Sequence, residues 1–180
     1  SYDAKGNLIE VIDTKNQITT FTYDAIDRLS SASNSLGFSE SFTYDANGNL
    51  ASTANRNLQP ITFNYDALNR LIQKSRPPTP TEVGSQVTTF AYDSVGNLTS
   101  VIDPDSTVNM AYDLANRLIS TAASTPSMQA KTISYSYDLN GNRLTMTDPQ
   151  AGVTNYVYDS LNRLTSITNP SARTISFAYD

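Results

Sequence analysis

The sequence predicts an all-β protein, an array of antiparallel β-hairpin repeats that together form a coiled, spiral or shell-like sheet. Three observations lead to this fold class. The dipeptide Tyr-Asp occurs nine times at intervals of 20 to 27 residues, large apolar residues alternate with small or polar ones before it, and only Gly, Asn or Asp stands four residues after its tyrosine. A recurring period of this length is typical of repeat architectures.

The Tyr-Asp pairs divide the chain into eight repeats. Their tyrosines are Tyr2, Tyr23, Tyr44, Tyr65, Tyr92, Tyr112, Tyr137, Tyr158 and Tyr179. The chain begins one residue before the first pair and ends on the last. We therefore expect residues 1–180 to be a single repeat array, excerpted from a longer chain and flanked there by further repeats.

A β-strand is predicted before each pair. The residue two positions before the tyrosine is large and apolar, and its neighbours are small or polar. These large residues are Phe21, Phe42, Phe63, Phe90, Met110, Tyr135, Tyr156 and Phe177. The alternation has the period of two that a half-buried strand shows, and helical spacing fits nowhere.

A tight turn is predicted after each pair. The aspartates of the first eight pairs are Asp3, Asp24, Asp45, Asp66, Asp93, Asp113, Asp138 and Asp159. The fourth residues after the tyrosines are Gly6, Asp27, Gly48, Asn69, Gly96, Asn116, Gly141 and Asn162. Asp favours the first position of a type I turn, and Gly, Asn and Asp tolerate a left-handed backbone. The pattern indicates a three-residue hairpin turn, so we interpret these residues as a structural repeat motif rather than a catalytic site.

A second strand and a second turn complete each repeat. The strand is exemplified by residues 98–102, and an Asp or Asn eleven residues after the tyrosine ends it in most repeats, with Pro next in three of them. Asp-Pro and Asn-Pro favour turn initiation. Two repeats are longer than the others, and we expect inserted loops at this second turn, at about residues 74–86 and 121–131.

Alternate repeats differ at the first turn. The repeats that start at Tyr2, Tyr44, Tyr92 and Tyr137 carry Gly-Asn there, whereas the others carry Asp-Arg or Asn-Arg. The structural period is therefore predicted to be a pair of repeats. Arg143 stands where the other repeats have Leu, with Leu144 next, so a bulge or a frame change is expected there.

Composition excludes several kinds of chemistry. The chain has no His and no Cys, which removes Ser–His–Asp triads, thiol nucleophiles, disulfides and ordinary zinc sites. The net charge of -5 argues against nucleic acid and anionic membrane surfaces as partners, because both attract clustered Lys and Arg. No stretch approaches the ~18 apolar residues of a membrane span, so membrane insertion is not expected.

The remaining candidate sites are better explained as structure. Most of the fourteen Asp residues belong to turns, which leaves little support for a catalytic carboxylate pair. Stacked turn carboxylates are a conceivable calcium site, but no known calcium-loop pattern occurs. We expect the recurring arginines to be solvated or to pair with an Asp on an adjacent turn, and the alternative is a line of arginines that faces a lumen or a sugar. They are Arg28, Arg70, Arg117 and Arg163. We predict no catalytic residue, no cofactor and no metal.

A sheet of about sixteen strands raises a packing problem. At ~4.8 Å per strand it would be roughly 75 Å wide if flat, and the natural twist of neighbouring strands makes so wide a flat sheet improbable. The sheet is therefore expected to coil. Its face of Tyr and Phe side chains needs a cover, which we expect neighbouring parts of a longer chain to supply.

Several motifs carry a family resemblance over essentially the whole chain. YDAKGNL, YDANGNL, YDSVGNL and YDLNGNRLTMTDPQAGVTNYVYD resemble the YD repeats of the Rhs family, which includes Rhs polymorphic toxins, toxin-complex shell subunits, wall-associated proteins and the teneurin YD shell. The resemblance implies a β-sheet strip wound into a hollow shell that encloses a toxin or another polypeptide. The family's C-terminal core signature and autoproteolytic aspartate site are not recognisable, so no cleavage activity is implied.

Two functional hypotheses follow from the residues and the resemblance. The first is a non-enzymatic structural segment of a secreted or bacterial cell-surface shell that encapsulates or displays a toxin or other polypeptide. The alternative is an adhesin-like surface fibre or carbohydrate-binding repeat array. A concave, enclosed aromatic face favours the shell, and an exposed aromatic stripe over a straight solenoid favours sugar binding. Because an excised array has two unpaired edge strands, end-to-end self-association is also expected.

Overall fold

A computed structural model describes residues 1–55, 59–82, 84 and 86–180. Every regular element in these residues is a β-strand, so none is a helix that could cross a membrane. The strands are β1 (Glu10–Ile12), β2 (Ile18–Tyr23), β3 (Leu29–Asn34), β4 (Ser39–Tyr44), β5 (Leu50–Ala54), β6 (Pro60–Tyr65), β7 (Leu71–Arg76), β8 (Gln86–Tyr92), β9 (Leu98–Ile102), β10 (Thr107–Tyr112), β11 (Leu118–Thr125), β12 (Met128–Tyr137), β13 (Arg143–Thr147), β14 (Val153–Tyr158), β15 (Leu164–Thr168) and β16 (Thr174–Ser176).

The strands form one sheet in which the spatial order equals the sequence order. Neighbouring strands run antiparallel, as in β2–β3 and β14–β15. The prediction of an all-β array of antiparallel hairpins is thereby confirmed. The chain divides into two compact units, Ser1–Thr89 and Phe90–Asp180, and each is described by itself; that the whole chain is one array of eight repeats stays a prediction.

Register within the hairpins follows one rule. The tyrosine of a pair lies opposite the residue six positions later, as in Tyr23 with Leu29, and a β-bulge precedes it. The same bulge occurs at Tyr137, where Arg143 occupies the Leu position. The bulge that was expected near Arg143 is therefore present, and the same bulge occurs in other hairpins. The alternative of a frame change there is wrong, since the register is unaltered.

Side-chain burial distinguishes the two faces of the sheet. In β2, Phe21 and Tyr23 are less exposed than Thr20 and Thr22. We call the side that carries the tyrosine of each pair, and the large residue two positions before it, the aromatic face. Within each unit the strands contact only their sequence neighbours, and none of the described residues is fully buried. Each unit is thus a single layer whose aromatic face is only half-covered.

The two predicted insertions have different structures. Beyond β7, residues 77–82 are irregular, because the prolines there have no N–H for a strand ladder. Arg76 and Glu82 close this segment with an ion pair at 2.5 Å. Of the predicted loop 74–86, residues 83 and 85 lie outside the described residues.

The predicted loop 121–131 is wrong, because the inserted residues lengthen a hairpin. Strand β11 continues to Thr125 and β12 begins at Met128. Residues 121–125 are small or β-branched and contain no proline, so they can pair with the start of β12. The only proline of the segment, Pro126, lies in the two-residue turn.

Candidate functional site

The eight turns that follow the Tyr-Asp pairs, which we call the tyrosine turns, share one backbone geometry. In the first, the N–H of Gly6 donates to the carbonyl of Asp3 at 3.1 Å and the N–H of Asp3 donates to Asn7 at 2.9 Å. This pattern closes a three-residue hairpin turn. At all eight left-handed positions φ lies between 59° and 101°, where L side chains other than those of Asn and Asp are strained.

The aspartate of each pair holds its turn closed. At Asp113, Oδ1 accepts the backbone N–H groups of Ala115 at 2.8 Å and Arg117 at 3.0 Å. Its Oδ2 accepts Nε of Arg117 at 2.7 Å. The N–H of Arg117 lowers the pKa of Asp113, and the side-chain amide of Asn142 lowers that of Asp138. The pKa of each of the other six tyrosine-turn aspartates is lowered too.

These carboxylates are therefore ionised and already committed as acceptors at neutral pH. A general acid needs a proton to give, and a metal ligand needs a free oxygen lone pair beside other ligands. Across the part of the chain that the structure describes, no three Asp or Glu side chains are placed to hold a metal ion. The hydrogen bonds of these carboxylates close the tyrosine turns.

Asparagines of the Gly-Asn repeats join neighbouring tyrosine turns. The side-chain amide of Asn49 donates to Asp45 in its own turn at 3.0 Å and to Asn69 Oδ1 in the next turn at 2.8 Å. The same bridge occurs three more times. It joins Asn7 to Asp27, Asn97 to Asn116 and Asn142 to Asn162. The repeats that carry Asp-Arg or Asn-Arg therefore need Asn or Asp at the left-handed position. Its side-chain oxygen accepts the bridging hydrogen bond, and Gly has no such oxygen.

Arginines of the other repeats also connect their tyrosine turn to the next one. Arg117 donates from Nη1 to the carbonyl of Asp138 in the next turn at 2.7 Å, and its guanidinium carbon lies 4.9 Å from the Tyr137 ring centroid. Arg28 lies in the same way over Tyr44 at 4.4 Å. The expectation that an Asp carboxylate of an adjacent turn is their ionic partner is wrong. Arg28, Arg70, Arg117 and Arg163 pair with the aspartate of their own turn.

Several tyrosine hydroxyls join their own repeat to the one before it. Tyr23 donates to the carbonyl of Leu8 at 2.8 Å. Tyr44, Tyr65, Tyr112, Tyr137 and Tyr179 donate to Leu29, Leu50, Leu98, Leu118 and Leu164 in the same way, at 2.8 to 3.1 Å. This bond was not predicted. Its signal in the sequence is the Leu that stands six residues after the tyrosine in every repeat except the one that has Arg143.

Two protein-family models match the sequence of these repeats. A family model described as Teneurin YD-shell matches residues 36–180, and one described as RHS Repeat matches residues 2–39. No curated protein matches the chain significantly.

Several solved structures have a similar fold. The crystal structure of TcdB2-TccC3 superposes with a TM-score of 0.76 at 16% identity over 99% of this chain. That of TcdB2-TccC3-Cdc42 gives 0.74 at 17% over 98%, and the Photorhabdus luminescens Tc holotoxin pore gives 0.70 at 18% over 93%. This chain spans only 10% to 12% of the length of those chains. At such identities the likeness shows the fold.

Proposed function

This chain belongs to the teneurin YD-shell family, and from that premise we propose that it is a non-enzymatic segment of a shell wall. The wall belongs to a longer chain and encloses a toxin domain or another polypeptide. Further repeats of the same chain pair with its edge strands β1 and β16. The segment's role is confinement rather than reaction.

One observation carries the proposal: in each unit the described residues form a single layer without a buried core. An independent domain of this length buries a large part of its apolar surface against itself. Here the aromatic side chains are half-buried along one face, and that face has no second layer within either unit. A wall between an interior and the solvent accounts for such a layer, because its contents and its neighbours complete the burial.

Confinement follows from the strand pairing and the joined turns. Antiparallel strands at about 4.8 Å spacing leave no opening through which a folded protease can pass. Side chains of the tyrosine turns tie successive hairpins together at one end of the strands, as Asn49 does with Asn69. A wall built in this way excludes water-soluble enzymes without any catalytic group of its own.

Partner and location belong to the same proposal. Two of the similar solved structures are of TcdB2-TccC3 and TcdB2-TccC3-Cdc42, and the proposal assigns this chain an enclosed toxin or polypeptide as its partner. Its location would be the outside of a bacterial cell, either secreted or at the surface. The carbohydrate-binding array stays a prediction, and no contact of the described residues favours it.

A protease-protection experiment on the longer chain tests the proposal. The chain that contains these repeats, with its enclosed segment, is digested by a broad-specificity protease and followed by mass spectrometry. We expect the enclosed segment to survive at least about tenfold longer than the same segment alone, since cleavage then requires the wall to open.

The matched variants are Thr145→Pro, which removes a hydrogen bond from the middle of β13, and Thr145→Val, which keeps the strand. Proline should speed cleavage of the enclosed segment and valine should not. Equal cleavage of the enclosed and the free segment would overturn the proposal, and glycan binding in that situation would favour the carbohydrate hypothesis.

A further inference from the structure

One residue breaks the pattern of the aromatic face. Six residues after the tyrosine of each pair stand Leu8, Leu29, Leu50, Leu71, Leu98, Leu118, Arg143 and Leu164. Arg143 lies opposite Tyr137 in the register that places Leu164 opposite Tyr158. A guanidinium therefore takes the place of an isobutyl group on the aromatic face.

The Arg143 guanidinium is held between two aromatic rings. Its central carbon lies 4.3 Å from the ring centroid of Tyr156 and 5.8 Å from that of Tyr135. The stacking fixes the plane of the group and favours its charge, as aromatic faces do for cations.

None of the donors of this guanidinium is used within the part of the chain that the structure describes. Its Nε is shielded from solvent and has no hydrogen-bond partner. The corresponding atoms of Arg117 and Arg163 donate to aspartates at 2.7 and 2.8 Å. An unsatisfied charged donor costs more free energy than a neutral one, so Leu would stabilise the isolated sheet better than Arg at this position.

The tyrosine of the repeat that follows Arg143 also differs from the other tyrosines. Tyr137 and Tyr179 donate their hydroxyls to the carbonyl of the Leu-position residue one repeat earlier, at 2.8 Å in both cases. For Tyr158 that residue is Arg143. Among the described residues the Tyr158 hydroxyl has no hydrogen-bond partner. A phenol and a guanidinium are thus both left unpaired here.

Charge in the second unit favours an anionic partner. All the acidic residues of Phe90–Asp180 lie in turns or at the chain end, and its strands contain two charged side chains, Lys131 and Arg143. Both belong to the aromatic face, Lys131 by the alternation of β12 that also places Tyr135 there. That face of the second unit is therefore apolar, aromatic and positively charged.

We propose that Arg143 is a carboxylate-binding point on the aromatic face, where an acidic side chain of a polypeptide docks with apolar neighbours on either side of it. A planar guanidinium binds a carboxylate with two parallel hydrogen bonds. The Tyr158 hydroxyl is a further donor, and the rings of Tyr135 and Tyr156 contact the flanking apolar groups. The inference rests on the proposed function only in that the enclosed polypeptide is the partner.

Two labelled peptides test this site on the whole 180-residue chain. One is acetyl-Phe-Glu-Phe-Glu-Phe amide and the other has Gln in place of Glu, and fluorescence anisotropy gives their dissociation constants. We expect the Glu peptide to bind at least about tenfold more tightly, the effect of a hydrogen-bonded charge pair. Arg143→Leu should reduce this ratio to within about twofold of unity.

The control variant is Arg173→Leu, which removes one positive charge from an exposed turn and should keep the ratio of the native chain. Arg143→Leu restores the residue of the other hairpins, so its thermal midpoint should equal or exceed that of the native chain. Equal binding of the two peptides, no binding of either, or a ratio that survives Arg143→Leu would overturn the inference. Protease protection of the enclosed segment is read independently, so a failure of the peptide test leaves the shell proposal standing.

Discussion

The two ends of the strands carry turns of different kinds. The tyrosine turns all have the same length, and Asn or Arg side chains join successive turns. The turns at the opposite ends, which we call the return turns, differ in length, as Asp103–Ser106 and Asp148–Gly152 show. Their capping hydrogen bonds run within a single turn, as from Lys15 and Gln17 to Asp13.

This difference explains where the repeat length varies. A tyrosine turn must meet two neighbouring turns at hydrogen-bond distance, so an added residue breaks contacts on both sides. A return turn closes on itself and can change length without such a loss. The two longest intervals between Tyr-Asp pairs, 27 and 25 residues, result from residues added at the return-turn end of the strands. They form an irregular segment after β7 in one repeat and longer strands β11 and β12 in the other.

Acid should have the largest effect, because it reaches all eight tyrosine turns together. The folded-state pKa of each of the eight tyrosine-turn aspartates lies below its ordinary value. Their stabilisation is complete above the unfolded pKa of about 3.9 and is lost as the pH falls through the lowered folded values. Three return turns are capped instead by Asn34, Asn55 and Asn169, which do not titrate.

Circular dichroism at pH 7, 5 and 3 measures this effect. We expect the thermal midpoint to change little between pH 7 and 5 and to fall at pH 3. Amide exchange should show the tyrosine turns opening before the Asn-capped return turns. A midpoint that is unchanged at pH 3 would refute the role of the ionised carboxylates.

Matched insertions should give the next largest effect. Two glycines placed between Leu114 and Ala115 lengthen a tyrosine turn, and two placed between Gln150 and Ala151 lengthen a return turn. We expect the first to lower the thermal midpoint by about 5–10 °C through the lost turn and cross-turn hydrogen bonds. The second should cost less than about 2 °C. Similar losses from both would mean that the ends of the strands are energetically equivalent.

Substitution of Asn116 should give the smallest effect and separates its two roles. Asn116 has φ of 59° and accepts a hydrogen bond from Asn97 at 2.9 Å. Asn116→Gly keeps the backbone and removes the acceptor, and should cost less than about 1 kcal/mol because the exposed Asn97 amide can bind water. Asn116→Ala adds the left-handed strain of roughly 1–2 kcal/mol. Denaturant unfolding gives both values, and an Ala variant as stable as the Gly variant would contradict the backbone argument.

Local chemistry made part of this structure predictable. The Gly, Asn or Asp four residues after each tyrosine indicated a positive φ, because a left-handed backbone restricts that one residue. The alternation around Phe21 and Tyr23 predicted a half-buried strand for a similar reason. Both features depend on residues that are close in sequence.

Contacts between repeats were less predictable. The bond from Tyr23 to Leu8 and the position of Arg117 over Tyr137 depend on how one hairpin is offset from the next, which no single repeat specifies. The hairpin extension at residues 121–131 escaped prediction since added residues can either lengthen two strands or form a loop. The alternation of Gly-Asn with Asp-Arg or Asn-Arg could be seen in the sequence. Its physical reason, the hydrogen bonds between neighbouring tyrosine turns, could be recognised only from the distances in the structure.

Hydrogen exchange of two matched amides tests most directly whether the tyrosine turns are held by their neighbours. The N–H of Asn142 in a tyrosine turn and that of Gly152 in a return turn each donate to an Asp Oδ1 at 2.8 Å. They have the same local bond, and in addition the side chain of Asn142 bridges to Asn162. At neutral pH, after correction for intrinsic rates, the Asn142 amide should exchange at least about tenfold more slowly than that of Gly152. Equal rates, or slower exchange at Gly152, would contradict the account.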